Sequence, residues 1–144
     1  QNDWCDIGAY DRLPGTIFRY CTLVPANSSN NYWYGGSTQN VDANLSVVGN
    51  TKGLFTLNRE NSTSLKGYKN GTQVGATQTA AFEDGMDSEV FVLARNTEDN
   101  GNVNLVSQRE QAFAAIGDGL TDDEVADLYA VVQAFQVELG REEE

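Results

Sequence analysis

Histidine does not occur anywhere in this chain of 144 residues. Its absence removes Ser–His and Cys–His nucleophile pairs, because neither a hydroxyl nor a thiol has its usual base. Cysteine is scarce too. Two thiols, Cys5 and Cys21, without histidine do not complete a zinc shell. Nine Lys and Arg stand against 21 Asp and Glu, for a formal charge of −12. That balance excludes nucleic acid as a partner, since phosphate binding needs clustered Lys and Arg. No apolar run is long enough to span a bilayer. No glycine loop of the phosphate-cradling kind is present. A signal peptide is lacking as well, yet Gln1 is not a start residue. The expectation is a processed chain or a piece of a longer one.

What is present suits one folded domain. The length is enough for a real core, and 40% of the residues are hydrophobic. The acid is unevenly placed. From Asp118 onward nine acids face the single base Arg141, so −8 of the −12 lies there and −4 before it. Glu142–Glu144 reads as a solvated end.

The rest of the chain is organised around its last helix, expected over about 121–139. Thr121 sits at the N-cap position and Glu124 lies three residues on, the capping-box spacing. Asp122, Asp123 and Glu124 place negative charge at the positive end of the helix dipole. Val125, Leu128, Val132, Phe135 and Leu139 recur at threes and fours, with Tyr129 beside them, so this stripe is expected to be buried. Gly140 is the stop.

Everything before the helix reads as strands and turns. Trp4 to Asp11 alternates, with Cys5, Ile7 and Ala9 on one face. Ile17 to Val24 is rich in β-formers, and Pro14-Gly15 between the two runs marks a turn. Tyr32 to Tyr34, Asn44 to Val48 and Gly53 to Asn58 follow as short strands. Ser64 to Lys69 and Thr72 to Thr77 flank Asn70-Gly71, the strongest short hairpin signal, since both residues accept positive φ in a type I′ turn. Glu89 to Arg95 is expected as one strand and Gln111 to Ile116 as the last. About nine short strands with turns every eight to twelve residues make the all-β sandwich pattern. Pairing of the first two strands about Leu13 would set Cys5 opposite Cys21. A disulfide then forms in an oxidising compartment; two buried thiols are the equal alternative.

Four segments in order carry a resemblance: GLFTLNR (53–59), SLKGYKNGTQVG (64–75), VFVLARN (90–96) and AFAAIGDGLTDDEVADLYAVVQAFQ (112–136). Together they resemble the concanavalin A-like, laminin-G-like jelly rolls found in bacteriophage structural proteins. In that family a Tyr-x-Asn-Gly hairpin, a strand ending in Ala-Arg-Asn and a Gly-x-x-Leu-Thr-x-x-Glu helix follow one another. This chain has Leu93-Ala94-Arg95-Asn96 where the family strand often carries a glycine before the arginine. The resemblance covers 53–141 well and 1–52 loosely.

The resemblance implies an antiparallel β-sandwich with one C-terminal helix. It also implies a non-enzymatic structural or adhesion domain exposed on a virion, as capsid decoration, tail or fibre. An extracellular carbohydrate-binding module is the alternative. The similar domains begin with further strands, so a missing N-terminal segment is implied. The strand at Ala112 to Ile116 would then be left open for that segment, or for a strand from another structural subunit.

Three stretches carry residues suited to chemistry or binding. Some relatives are glucanases, which need paired carboxylates. The acidic stretch Glu83-Asp84-Gly85-Met86-Asp87-Ser88-Glu89 reads as a turn rather than a catalytic strand, so no enzyme is expected. Calcium is the one cofactor the oxygen-rich loops suit, through Asp84 and Asp87, or through Asp99 with Asn96, Asn100 and Asn102. A solvated turn is the plainer reading. Tyr32, Trp33 and Tyr34 are candidates for stacking on a sugar ring, with Asn31, Asn30, Gln39 and Asn40 for its hydroxyls, so surface glycans are a candidate partner. The other reading of the aromatics is that two of the three face the core. Arg59, Arg95 and Arg109 are expected to pair with carboxylates or carbonyls near strand ends.

Overall fold

The computed structural model describes residues 5–13, 17–24, 32–36, 43–47, 52–61, 63–79, 88–97 and 102–141, with backbone alone at 11–13, 17–20, 32–36 and 43–47. Its strands are β1 (Ile7–Leu13), β2 (Ile17–Val24), β3 (Tyr32–Gly36), β4 (Ala43–Val47), β5 (Phe55–Asn61), β6 (Ser64–Lys69), β7 (Thr72–Gln78), β8 (Phe91–Val92), β9 (Arg95–Thr97) and β10 (Asn102–Asn104). One helix, α1 (Asp122–Glu138), follows them. The strands form two sheets. One runs β10-β9-β1-β2-β3-β4, with β8 also on β1, and the other runs β5-β6-β7. They adjoin where β4 meets β6 and β7, and where β2 meets β5. This is a β-sandwich arrangement with one C-terminal helix.

The core lies between the sheets. Leu65 of β6 is buried against Leu57, Phe55 and Val74 of its own sheet and against Leu23 of β2. Tyr68 and Val24 are buried as well. The alternation of β6 explains this, since Leu65 and Gly67 on one side and Tyr68 on the other are all covered.

The β6–β7 hairpin forms as its Asn-Gly pair requires. Asn70 has φ 52° and Gly71 φ 73°, and Lys69 pairs with Thr72 across the turn. The Asn70 side chain is also used. Its Oδ1 accepts from the Leu54 N–H at 2.9 Å, tying the turn to the start of β5. Outer strand β7 bulges at Gly75, and there the Gln73 and Gln78 amides donate to the carbonyls of Gly75 and Ala76. These contacts occupy acceptors that a foreign strand would otherwise pair with.

Several expectations are corrected. Gln111 to Ile116 is not a strand; it is irregular, and Ile116 is exposed. Alanine and glycine dominate 112–119, and they bring little of the side-chain packing that holds a strand in a sheet. Glu89 to Arg95 is not one strand either. The chain reverses at Leu93, where φ is 62°. As a result β8 runs antiparallel to β1 at Ile7↔Val92, whereas β9 runs parallel to it at Ala9↔Asn96. The reversal is pinned on both sides. The Leu93 N–H donates to the Asp6 carbonyl and the Leu93 carbonyl accepts from Ser107, both at 2.7 Å. The large sheet is therefore mixed, not purely antiparallel.

The cysteines are not opposite each other. The first two strands pair Leu13 with Ile17 rather than folding about Leu13, which sets Cys21 opposite Ala9. Cys5 instead precedes β1 and bridges Val106. Both thiols are free. Gly8 has no side chain to collide with the Cys5 sulfur lying against it. Burial pushes the Cys5 thiol up to about 11, and burial raises the Cys21 thiol too.

Candidate functional site

Helix α1 and the sheet beneath it form the best-defined cluster of interacting side chains. The helix begins as its sequence dictates. Thr121 is extended, its hydroxyl accepts from the Glu124 N–H at 3.3 Å, and Glu124 Oε2 accepts from the Thr121 N–H at 2.8 Å. Those two N–H and O–H groups of Thr121 hold the Glu124 carboxyl below its ordinary range. At the other end Gly140, with φ 67°, donates to the Val137 carbonyl and Arg141 donates to the Gln136 carbonyl, a Schellman stop.

Three residues of the small sheet bind the helix start. The Asn58 amide donates to the Leu120 carbonyl at 2.7 Å and accepts from the Leu120 N–H at 2.9 Å. Asp122 Oδ1 accepts from Lys66 Nζ at 2.6 Å and from the Tyr68 hydroxyl at 2.5 Å. Lys66 first, then Tyr68, hold the Asp122 carboxyl below the usual carboxylate range. The same contact raises Lys66. Burial, aided by the Asp122 carboxylate, pushes the Tyr68 phenol up to about 12. Further along, the helix closes on the β6–β7 turn. A Cβ on Gly71 would sit 3.1 Å from Tyr129 Cβ and 3.3 Å from Ala126 Cα, tighter than ordinary contact, and its φ of 73° also favours glycine, so Gly71 eases the close approach of the two elements.

The buried face of α1 keeps Val125 and Val132 of the stripe expected from sequence but not Phe135 and Leu139. Val125, Val132 and Gln136 are buried, with Leu128, Tyr129 and Gln133 half-buried. Phe135 and Leu139 are 51% and 47% exposed, and Val131 is 67% exposed. The helix thus carries two adjacent apolar seams. Val125–Tyr129–Val132–Gln136 faces the domain. Leu128–Val131–Phe135–Leu139 turns progressively outward. Apolar periodicity alone selected Phe135 over Gln136, since a polar residue on the inner seam breaks the pattern. Gln136 is 8% exposed, and its amide meets no hydrogen-bond partner among the described residues.

The seat residues Asn58, Lys66 and Tyr68 were not anticipated. They lie 54 to 62 positions before their helix partners, and no local pattern encodes such a pairing. Of the residues singled out from sequence, Tyr32, Trp33 and Tyr34 are consecutive on β3, between β2 and β4, with a register shift between Trp33 and Tyr34. Asn31, Asp84, Asp87 and Asp99 lie outside the described residues, as do Asn30, Gln39, Asn40 and Glu83. Asn96 does not stand in an oxygen-rich loop. It is buried on β9, with its amide donating to the Glu89 carbonyl at 3.0 Å.

Two arginines pair as anticipated. Arg109 meets both Asp6 carboxylate oxygens at 3.3 Å, and Ser107 Oγ donates to Asp6 Oδ1 at 3.0 Å. Arg95 donates to Asn104 Oδ1 at 3.0 Å and lies 5.3 Å from the Tyr10 ring centroid. Among the described residues no group of three potential metal ligands comes together, and no helix is long and apolar enough to cross a membrane.

Comparison with known proteins returned no match: the chain matches no protein family, no curated protein and no solved structure.

Proposed function

We propose that the chain is a non-enzymatic structural domain displayed on a virus particle of bacteriophage type, a concanavalin A-like jelly roll that works by contact with neighbouring subunits. The observation that carries this reading is the outer seam of α1. The helix is firmly anchored at its start by Asn58, Lys66 and Tyr68, yet it leaves Val131, Phe135 and Leu139 in water. A rigid element that exposes a line of large apolar side chains suits a protein whose work is docking. The order of the four resembling segments supplies the phage context.

Density-gradient fractionation of particles from the source culture tests the reading. The expected result is this chain in a fixed ratio to the other particle proteins. Recovery of the chain only as free protein would overturn it. Specific binding on a glycan array that is lost in Trp33→Ala would instead favour a lectin.

A further inference from the structure

We propose that the outer seam of α1 receives a basic amphipathic helix from a neighbouring subunit, a partner chemistry that rests on the assembly reading above. Leu128, Val131, Phe135 and Leu139 follow one another at spacings of three, four and four, the rhythm with which one helix takes knobs from another. The line is open where it matters, at Val131, Phe135 and Leu139. The helix beneath it is fixed by its capping box, by the Asn58 clamp and by the Schellman stop, so the seam is preorganised.

Charge selects the occupant. Asp127 lies one helical turn before Val131, and Glu138 lies three residues after Phe135, so both acids border the seam. No base occurs between Asp122 and Glu138. A second copy of the chain would bring an equally acidic seam against this one, with −12 on each partner. An anionic lipid surface is repelled for the same reason. A helix with Leu or Ile anchors and Lys or Arg beside them answers both the apolar line and its acidic border.

The test uses the full chain and two synthetic helical peptides of about 18 residues with the same leucine seam, one flanked by lysine and one by glutamate. The lysine peptide is expected to bind saturably, one per chain, and to weaken by at least about tenfold between about 50 and about 500 mM salt. The glutamate peptide is expected not to bind. The double substitution Val131→Ser, Phe135→Ser should weaken the lysine peptide by at least about tenfold with only a small fall in melting temperature, because both side chains are largely exposed. Asp127→Lys with Glu138→Lys leaves the apolar line intact and should reverse the preference to the glutamate peptide.

Four results would overturn the assignment: no binding of the lysine peptide, equal binding of both peptides, binding unchanged in the Val131/Phe135 variant, or a wild-type dimer that this variant turns into a monomer. The particle experiment separates this failure from that of the assembly reading. Particles that hold the chain and the Val131/Phe135 variant alike leave the assembly reading standing and remove the seam. Absence of the wild-type chain from particles removes the assembly reading and, with it, the neighbouring subunit as the source of the helix.

Discussion

Asn58 and Leu120 exchange two hydrogen bonds across 62 positions of chain, the Asn58 amide acting as donor and acceptor to one peptide unit. A primary amide is the side chain that can do both at once. The clamp sets where the irregular segment after Ser107 ends and where the helix begins. It also ties the start of α1 to β5.

Asn58→Leu should therefore destabilise the domain by about 2–4 kcal/mol, since the Leu120 N–H and carbonyl both lose their partner. Urea unfolding checks this. A midpoint equal to wild type would mean that water replaces the clamp without loss.

The two seams of α1 should respond differently to truncation. Val125→Ala removes a side chain that is fully covered and should cost about 1.5–3 kcal/mol. Phe135→Ala should cost under about 1 kcal/mol, because half of the ring is already in water. Thermal melts of the two variants in parallel decide it, and a larger loss for Phe135→Ala would place that ring in the core.

Gln136→Leu should raise the melting temperature. Among the described residues the amide is buried without a hydrogen-bond partner, and an apolar side chain of similar size removes that desolvation cost, about 1–2 kcal/mol. A fall in melting temperature would show that water or a further group satisfies the amide.

The Lys66–Asp122–Tyr68 contact makes stability depend on pH in a defined direction. Asp122 has a lowered folded pKa, so its contribution is complete above the ordinary Asp value of about 4 and is lost as pH falls through the lowered value. Tyr68 is raised to about 12, so its contribution holds below about pH 10 and is lost as pH rises towards 12. The raised Lys66 acts in the same alkaline direction. The stability gap between wild type and Asp122→Asn should be widest near neutral pH and should close below about pH 4. A gap that is constant from pH 3 to about pH 7 would show that the carboxylate charge plays no part.

Native alkylation should label neither cysteine quickly. Cys5 is buried with its thiol at about 11, and its Sγ donates to the Ile7 carbonyl at 3.1 Å, so little thiolate is available at neutral pH. Mass spectrometry after alkylation in denaturant should count two modified thiols. A Cys5–Cys21 disulfide would refute the register that pairs Cys21 with Ala9.

The features readable in advance were those carried by neighbouring residues. Thr121 with Glu124 closes a capping box within four positions, Asn70-Gly71 closes a turn within two, and Gly140 ends a helix by its own φ. Ile17–Val24 follows directly from a run of β-forming residues, and Ser64–Lys69 from its place before the Asn70-Gly71 turn. Each is a local free-energy choice that the surrounding fold leaves unchanged.

Contacts between distant segments decided the rest. Whether VFVLARN ran as one strand or reversed at Leu93 depended on Asp6 and Ser107, which no local pattern joins to it. Whether Cys5 met Cys21 depended on a four-residue difference in hairpin register, and the alternation of side chains is nearly blind to an even shift because its period is two. The inner seam of α1 was set by Asn58, Lys66, Tyr68 and Gly71, which fix the rotation of the helix about its axis. Periodicity marks how wide an apolar face is. Only the surface it lands on determines which half of that face is buried and which half is left for something else.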